Sequence, residues 1–229
     1  MPNDKNEEAK QTILIVDDHP LLRRGLAAII EGETDISVYG EAFSTQGALD
    51  AIEQGGDKKP DLAIIDLGLE ESDGLELIKE IKVRYPEISM LVISMHDESL
   101  YAERALRAGA LGYLTKQHLD DTVLTAIRHV LDGKRYLSAA MLEQFTDKFF
   151  TGGRNLKSDS PLAVLTDREL EVFRLIGQGN STRKIAERLG RSVKTIESHR
   201  ENLKQKLSLE SGAALVQRAI HWVDTGEAS

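Results

Sequence analysis

Asp17, Asp18, Asp66, Ser94 and Lys116 each stand at or just past the end of a short apolar run. Ile13-Leu14-Ile15-Val16 precedes the Asp pair, and Leu62-Ala63-Ile64-Ile65 precedes Asp66. Met90-Leu91-Val92-Ile93 precedes Ser94, and Tyr113-Leu114 comes just before Thr115 and Lys116. Such runs read as buried strands. In a parallel sheet all strand C-termini share one edge, so these side chains converge on a single pocket. Carboxylates brought within about 4 Å repel by roughly 4 kcal/mol per pair at an effective dielectric near 20. One lysine does not neutralise three of them. A divalent cation does, and all-oxygen ligation selects a hard ion, with Mg²⁺ the natural choice. An Asp beside that ion is a nucleophile toward a phosphoryl group. Ser94 can hydrogen-bond one phosphoryl oxygen and Lys116 can pair with another. Each residue alone also has an ordinary reading. Asp18-His19-Pro20 opens a helix, Asp66 sits in a loop, Ser94 caps a strand end and Lys116 is a solvated charge. Their arrival together, each after its own apolar run, favours the pocket.

The elements that must position these residues follow from periodicity. From residue 12 to about 132, β-like runs alternate with segments of helical period. The spacing predicts strands at 12–17, 36–42, 61–65, 89–94 and 111–114, and helices at 20–32, 45–54, 73–84, 98–108 and 119–132. Gly32, Gly55-Gly56, Pro86, Gly109 and Gly133 punctuate the helix ends. Five βα units imply an α/β domain with a parallel sheet and helices on both faces. Residues 62–65 and 90–93 are apolar throughout, as central strands covered on both sides require. After Gly133 the pattern breaks. Residues 138–150 predict a short helix, 151–161 (TGGRNLKSDSP) a linker, and from 162 onward four short helices at about 167–178, 181–189, 193–207 and 211–224. The expected organisation is an α/β domain over 12–133, a linker with a short helix over 134–161, and an all-α domain over 162–229.

Composition narrows the functional class. The 229 residues are 41% hydrophobic, which suits globular domains with real cores. No apolar run approaches the roughly 20 residues that span a bilayer, and the opening MPNDKNEEAKQ is too polar for a signal or transit peptide. The chain has no Cys, which fits a reducing compartment and predicts a cytoplasmic location. The net charge of −9 is unevenly spread: residues 183–206 carry 8 Lys and Arg against 3 Glu, a local +5. An acidic N-terminal part joined to a locally basic C-terminal part points to nucleic acid. By charge alone, a solvated helix face rich in Lys and Arg remains the alternative.

Within the C-terminal part, Thr166-Asp167-Arg168-Glu169 forms a capping box that starts a helix with Leu170, Phe173 and Ile176 along one face. The next helix follows Gly179-Asn180-Ser181, presents Ile185, Ala186 and Leu189, and stops at Gly190. After a short turn Ser192 caps a third helix. This is the spacing of a helix-turn-helix. Val193, Ile196, Leu203 and Leu207 are expected as the buried stripe of the third helix, and Lys194, Ser198, Glu201 and Gln205 as the exposed one, with Glu197 beside it. At about 1.5 Å per residue the helix spans roughly 20 Å, long enough for a major groove about 12 Å wide. Lys194, Arg200 and Lys204 suit phosphate contacts, which add affinity without sequence information. An amphipathic helix in a small bundle is the competing reading. In the last helix, Leu215, Ala219 and Trp222 are either a dimer contact or core.

These residues carry a family resemblance. Val16-Asp17-Asp18 and the wider VDDHPLLRRGL, Asp66 with Gly74 eight residues on, ISMHDE around Ser94, and GYLTK ending at Lys116 resemble the receiver domain of two-component response regulators of the NarL/FixJ subfamily. LTDRELEVFRLIGQGNSTRKIAERL with SVKTIESHRENLKQKL, within residues 162–224, resembles the LuxR-type helix-turn-helix. The resemblance implies a flavodoxin-like five-stranded sheet of order 2-1-3-4-5 and a four-helix DNA-binding domain. It implies that Asp66 accepts a phosphoryl group, and that Asp17, Asp18, Asp66 and the Gly68 carbonyl hold Mg²⁺. Ser94 and Lys116 would receive the phosphoryl oxygens, with Tyr113 as a rotamer switch. Glu197, Ser198 and Glu201 would face bases, and Lys194, Thr195, His199 and Arg200 would lie near the DNA backbone. His199 also has an ordinary reading, a hydrogen bond within the bundle. Many relatives have Pro where this chain has Glu70.

The function so implied is a transcription factor whose dimerisation and binding to double-stranded DNA depend on phosphorylation of Asp66 by a histidine kinase or a small phosphodonor, rather than an enzyme that turns over substrate. A phosphorylation-independent interaction module is one alternative. An Mg²⁺-dependent phosphohydrolase of the haloacid-dehalogenase type is another, although such enzymes usually place an Asp where this chain has Gly68.

Overall fold

The computed structural model describes residues 10–69, 74–95, 98–119, 122–150 and 161–225. Glu70, Ser72, Asp73, His96, Asp97 and the linker stretch 151–160 lie outside the described residues. The chain divides into two compact units, Met1–His96 with Ala105–Ser138, and Asp97–Arg104 with Ala139–Ser229. In order the elements are β1 (Gln11–Val16), α1 (Pro20–Glu31), β2 (Ile36–Ala42), α2 (Thr45–Gln54), β3 (Leu62–Ile65), α3 (Gly74–Arg84), β4 (Ser89–Ser94), α4 (Glu98–Ala108), β5 (Gly112–Thr115) and α5 (Val123–Leu131). They continue with α6 (Ala139–Phe150), α7 (Asp167–Gly177), α8 (Thr182–Arg188), α9 (Val193–Lys206) and α10 (Gly212–Thr225).

The five strands form one parallel sheet in the order β2-β1-β3-β4-β5, as the resemblance implied. Alternation along each strand sends successive side chains to opposite faces. Ile13 and Ile15 of β1, Leu62 and Ile64 of β3, and Leu91 and Ile93 of β4 pack on one face with Leu26 and Ile30 of α1 and Ala126, Ile127 and Val130 of α5. Leu14, Val16, Ala63, Ile65, Met90 and Val92 fill the other face and are equally buried. Burial of both faces is why β3 reads Leu-Ala-Ile-Ile with no polar residue. Two details departed from expectation. A short 3-10 turn at Lys116–His118 follows β5, so α5 begins at Val123 rather than near 119. Past Gly133 the chain still follows the sheet: the Tyr113 amide donates to Tyr136 O at 3.0 Å and the Tyr136 amide to Leu111 O at 3.0 Å, so this segment covers the free edge of β5.

In the helical unit the caps act as the sequence dictates. Thr166 and Glu169 form the reciprocal capping box of α7. Ser181 Oγ accepts from the Lys184 amide and Ser192 Oγ from the Thr195 amide, which sets the starts of α8 and α9. The core gathers Leu170, Phe173 and Ile176 of α7, Ile185 and Ala186 of α8, Ile196 and Leu203 of α9, and Leu215, Ala219 and Trp222 of α10. Trp222 stacks at a tilt on Phe173, ring centres 5.6 Å apart. The last three residues therefore belong to the core and not to a free dimer face. Val193 also departs from expectation: it is 42% exposed, whereas Ile196 and Leu203 are fully buried. It is the first residue of α9, and helical Cα–Cβ bonds tilt toward the N-terminus, which carries its side chain past the end of the packed stripe.

Among the described residues no helix is long and apolar enough to cross a membrane.

Gly177 ends α7 where α10 crosses it, and a Cβ there would lie 2.3 Å from Ala219 O and 2.5 Å from Val223 Cγ2. A backbone atom cannot swing aside. Gly177→Ala is expected to destabilise the helical unit by about 1–3 kcal/mol. Urea unfolding followed through Trp222, the chain's single tryptophan, reads this directly. An unchanged midpoint would show that the two helices separate freely at this point.

Candidate functional site

Parallel pairing puts the ends of β1, β3, β4 and β5 side by side. The Asp66 amide donates to Val16 O at 2.9 Å and the Asp17 amide to Ala42 O at 3.1 Å, so both residues leave the sheet with their backbones still held. Ser94 closes β4 in register with Thr115, the residue before Lys116. Asp17 and Asp66 are 2% and 3% exposed and Ser94 is fully buried, which is unusual for groups of this polarity and requires compensation.

The compensation comes largely from Lys116. Its Nζ lies 2.7 Å from Asp17 Oδ2 and 2.8 Å from Asp66 Oδ2, bridging carboxylates from two different strands. Burial is the largest single influence on this ammonium and acts to lower its pKa. The combined pull of Asp66 and Asp17 outweighs it, and the pKa is raised above the ordinary lysine value. The folded protein thus binds this proton more tightly than the unfolded chain. The pairing stabilises the fold at neutral pH, and the contribution is lost only as the pH rises through the raised value. Asp66 has a further donor in the Gly68 amide at 3.0 Å to Oδ1. The start of α3 presses against this loop: a Cβ on Gly74 would stand 2.5 Å from Asp66 O and 2.6 Å from Leu67 Cα, which is the physical reason for Gly eight residues after Asp66. Tyr113 sits fully buried in β5.

Two neighbours were not assigned a place in the site by sequence. His19, read there only as part of a helix start, puts Nδ1 2.7 Å from Asp18 Oδ1, 3.1 Å from Asp17 Oδ1 and 4.0 Å from Asp66 Oδ2. Arg23, one turn into α1, donates to Asp17 O at 2.7 Å and pairs with Glu41 Oε2 at 3.0 Å, bracing the loop that presents the Asp pair. The local signal for both was their place around the start of α1, just after the strand that ends at Val16. What each touches there depends on β2 and β3.

One ligand atom from each of Asp17, Asp18, His19 and Asp66 fits within 4.8 Å of the others. Mostly oxygen donors, rich in negative charge and short of one cation for balance, form a set that suits a divalent metal ion. Chemically, the pocket can hold such an ion beside a carboxylate that could act as a nucleophile, with the Lys116 ammonium at hand for a phosphoryl oxygen.

The second candidate surface is α9. Lys194, Glu197, Ser198 and Glu201 are exposed, while Thr195, His199, Arg200 and Lys204 are partly buried. Several of these polar groups already have partners. Ser198 Oγ donates to Lys194 O at 3.1 Å, Thr195 Oγ1 meets Ser192 Oγ at 2.8 Å, and Lys204 Nζ pairs with Glu201 Oε2 at 2.7 Å. Lys194 is thus the exposed cation on the same face as Glu197 and Ser198. Partial burial lowers the Arg200 pKa from its ordinary value. His199 Nδ1 is buried without a hydrogen-bond partner, so the expected bond within the bundle is not made by that nitrogen.

Comparison with known proteins agrees with both halves. A family model described as the response regulator receiver domain matches residues 13–128, and one described as bacterial regulatory proteins of the luxR family matches 163–219. The oxygen regulatory protein NreC of Staphylococcus carnosus is 33% identical over 211 residues, covering 91% of this chain and 96% of that protein. The transcriptional regulatory protein DegU of Brevibacillus brevis is 29% identical over 235 residues, covering 96% and 98%. Among solved structures, RcsB of Salmonella enterica serovar Typhimurium, bound to promoter rprA in the presence of the phosphomimetic BeF3-, superposes with a TM-score of 0.66 at 26% identity, over 91% of this chain and 98% of that one. Neither the interaction-module reading nor the phosphohydrolase reading is favoured by these matches. The chain belongs to the response regulators, a family of transcription regulators, and joins a receiver domain to a LuxR-type helix-turn-helix DNA-binding domain.

Proposed function

We propose that this chain is a cytoplasmic phosphorylation-controlled transcription factor, with its receiver over 12–133, a linker over 134–161 and a DNA-reading domain over 162–229. The observation that carries the proposal is the bridge from Lys116 Nζ to both Asp17 Oδ2 and Asp66 Oδ2 at one sheet edge, in a chain that also presents α9. An Asp66 carboxylate oxygen attacks phosphorus of a histidine kinase phosphohistidine or of acetyl phosphate. The new O–P bond forms as the bond to the donor breaks, and the donor leaves with the electron pair. A Mg²⁺ held by Asp17, Asp18, Asp66 and the Gly68 carbonyl would supply positive charge against the phosphoryl oxygens. Lys116 then pairs with one phosphoryl oxygen and Ser94 donates to another. Because Lys116 already bridges two carboxylates, a phosphoryl group on Asp66 must redistribute its contacts. That change at the ends of β4 and β5 biases a two-state equilibrium, with buried Tyr113 repacking alongside Ser94. The outcome is a homodimer that binds paired half-sites on double-stranded DNA.

On DNA, Glu197, Ser198 and Glu201 face base edges, where a Glu can accept from cytosine N4. Lys194, with Thr195, His199, Arg200 and Lys204, lies along the phosphates. Lys194 contributes most, because Lys204 is already paired with Glu201.

Two outcomes follow. Asp66→Asn, which keeps shape and removes the nucleophile, is expected to reduce labelling by radioactive acetyl phosphate to background. Label persisting at another residue would overturn the assignment of Asp66. For DNA, binding measured over a range of salt concentrations is expected to weaken steeply as salt rises, with Lys194→Ala lowering the log–log slope by about 1 and weakening all sequences alike. Glu197→Ala is expected instead to relax preference at one base pair by about 1 kcal/mol. Equal losses on every sequence from both variants would refute this division of roles.

A further inference from the structure

We propose that Arg23 and Glu41 form a positioning pair for phosphoryl transfer to Asp66, with Arg23 holding the Asp17 peptide in the orientation that lets the Asp17 carboxylate share Lys116 with Asp66. The proposal rests on the Asp66 reading above and concerns two residues outside the acidic cluster. Asp17 is held on both sides. Its amide donates to Ala42 O at 3.1 Å, and its carbonyl accepts from Arg23 Nη1 at 2.7 Å. The backbone has only two soft torsions per residue, and with both flanking peptide groups bonded neither turns without breaking a bond. The carboxylate then moves only about its own side-chain bonds, and Lys116 Nζ meets its Oδ2 at 2.7 Å.

Glu41 reaches Arg23 because β2 carries one extra residue. Strands β1 and β2 pair in step from Gln11 with Ile36 to Ile13 with Val38, but Leu14 pairs with Gly40, so Tyr39 is left over. Ile36 and Val38 lie on the sheet face that packs against α1. Unbroken alternation would send Glu41 to the opposite face. The bulge reverses this: Glu41 pairs with Ile15, whose side chain is on the α1 face. Tyr39 is secured in its place. Its hydroxyl lies 3.1 Å from both Ala51 O and Lys58 O, and a Cβ on Gly55 would stand 1.9 Å from it. Glu41 Oε2 thereby sits 3.0 Å from Arg23 Nε. Nε and Nη1 belong to one rigid plane, so fixing the first aims the second at Asp17 O. The Arg23 side chain is only 17% exposed, and a charge-assisted bond so shielded from water is strong.

The competing account is that the pair only ties α1 to β2 and adds stability. The two accounts differ in what the pocket feels. The rate of labelling by radioactive acetyl phosphate at saturating Mg²⁺ is measured on full-length wild type, Arg23→Ala, Arg23→Lys, Glu41→Ala, the Arg23→Ala/Glu41→Ala double variant and Asp66→Asn. Ile30→Val, a core change in the same helix, serves as a variant weakened away from the pocket. Circular dichroism and urea midpoints establish that each is folded and how much stability it has lost. Arg23→Ala is expected to slow labelling about tenfold. Arg23→Lys, which keeps a donor for Asp17 O, is expected to stay within about threefold of wild type. Glu41→Ala is expected to fall between them and to add nothing in the double variant, because Glu41 acts only through Arg23. The carbonyl ¹³C resonance of Asp17 is expected to move in Arg23→Ala and to stay in place in Ile30→Val. A wild-type rate in Arg23→Ala, slowing no greater than Ile30→Val shows for the same loss of stability, or full additivity in the double variant would each overturn the proposal. If Arg23→Ala does not fold, Glu41→Ala decides, and a wild-type rate there overturns it. If wild type takes no label, or Asp66→Asn labels as wild type does, the Asp66 reading falls and this proposal with it. Labelling that needs Asp66 but ignores Arg23 and Glu41 removes the positioning pair alone.

Discussion

Repulsion among carboxylates held at one sheet edge is the constraint around which the N-terminal unit is built. Parallel strands leave no freedom to spread Asp17 and Asp66 apart, because the backbone bond from the Asp66 amide to Val16 O fixes adjacent strand ends. Both side chains are nearly inaccessible to water, so solvent does little to screen them. Lys116 arrives from β5, two strands from Asp66 and three from Asp17, and places one ammonium against both. A site in which one ammonium is shared by two carboxylates must redistribute its contacts when charge is added, which is the physical basis of the switch proposed above.

The helical unit solves a different problem. Its third helix must be anchored by few residues in order to leave a polar face free. Ile196 and Leu203, one residue every two turns, hold α9 to the core, and the caps at Ser181 and Ser192 set its start. The price is a face carrying Glu197 and Glu201 among cations, where a purely electrostatic binder of DNA would carry none. In the proposed arrangement, acidic groups at reading positions would weaken affinity for every sequence and discriminate among bases, so affinity would come from phosphate contacts and preference from the helix face. The internal pairs, Lys204 with Glu201 and Ser198 with Lys194 O, hold that face in one arrangement before DNA is met.

His19 joins these themes at the level of one side chain. Its neighbours are the carboxylates that follow β1 and β3, so a residue that looks like punctuation between a strand and a helix becomes a contact of the whole edge. Arg23 is similar, tying the Asp17 carbonyl to Glu41 on β2.

Much of this architecture was legible in local patterns. Strand and helix positions agree with periodicity to within a residue or two for most elements, because alternation and the 3.6-residue repeat are imposed by burial on each segment separately. The meeting of Asp17, Asp66 and Lys116 was legible too, since parallel pairing carries every strand end to the same edge. What escaped were contacts chosen by segments far apart in the chain. Leu215, Ala219 and Trp222 have the same spacing whether they meet a second copy or Phe173, and only packing of α10 on α7 chose the latter. Val193 fits the apolar stripe by number yet projects beyond the helix end. Tyr136 pairs with β5 although no strand pattern surrounds it. The approach of His19 to Asp66 depends on where β3 delivers that carboxylate. Residue order specifies each element and the end at which its chemistry sits; which groups then touch is settled by long-range packing, whose geometry no single segment contains.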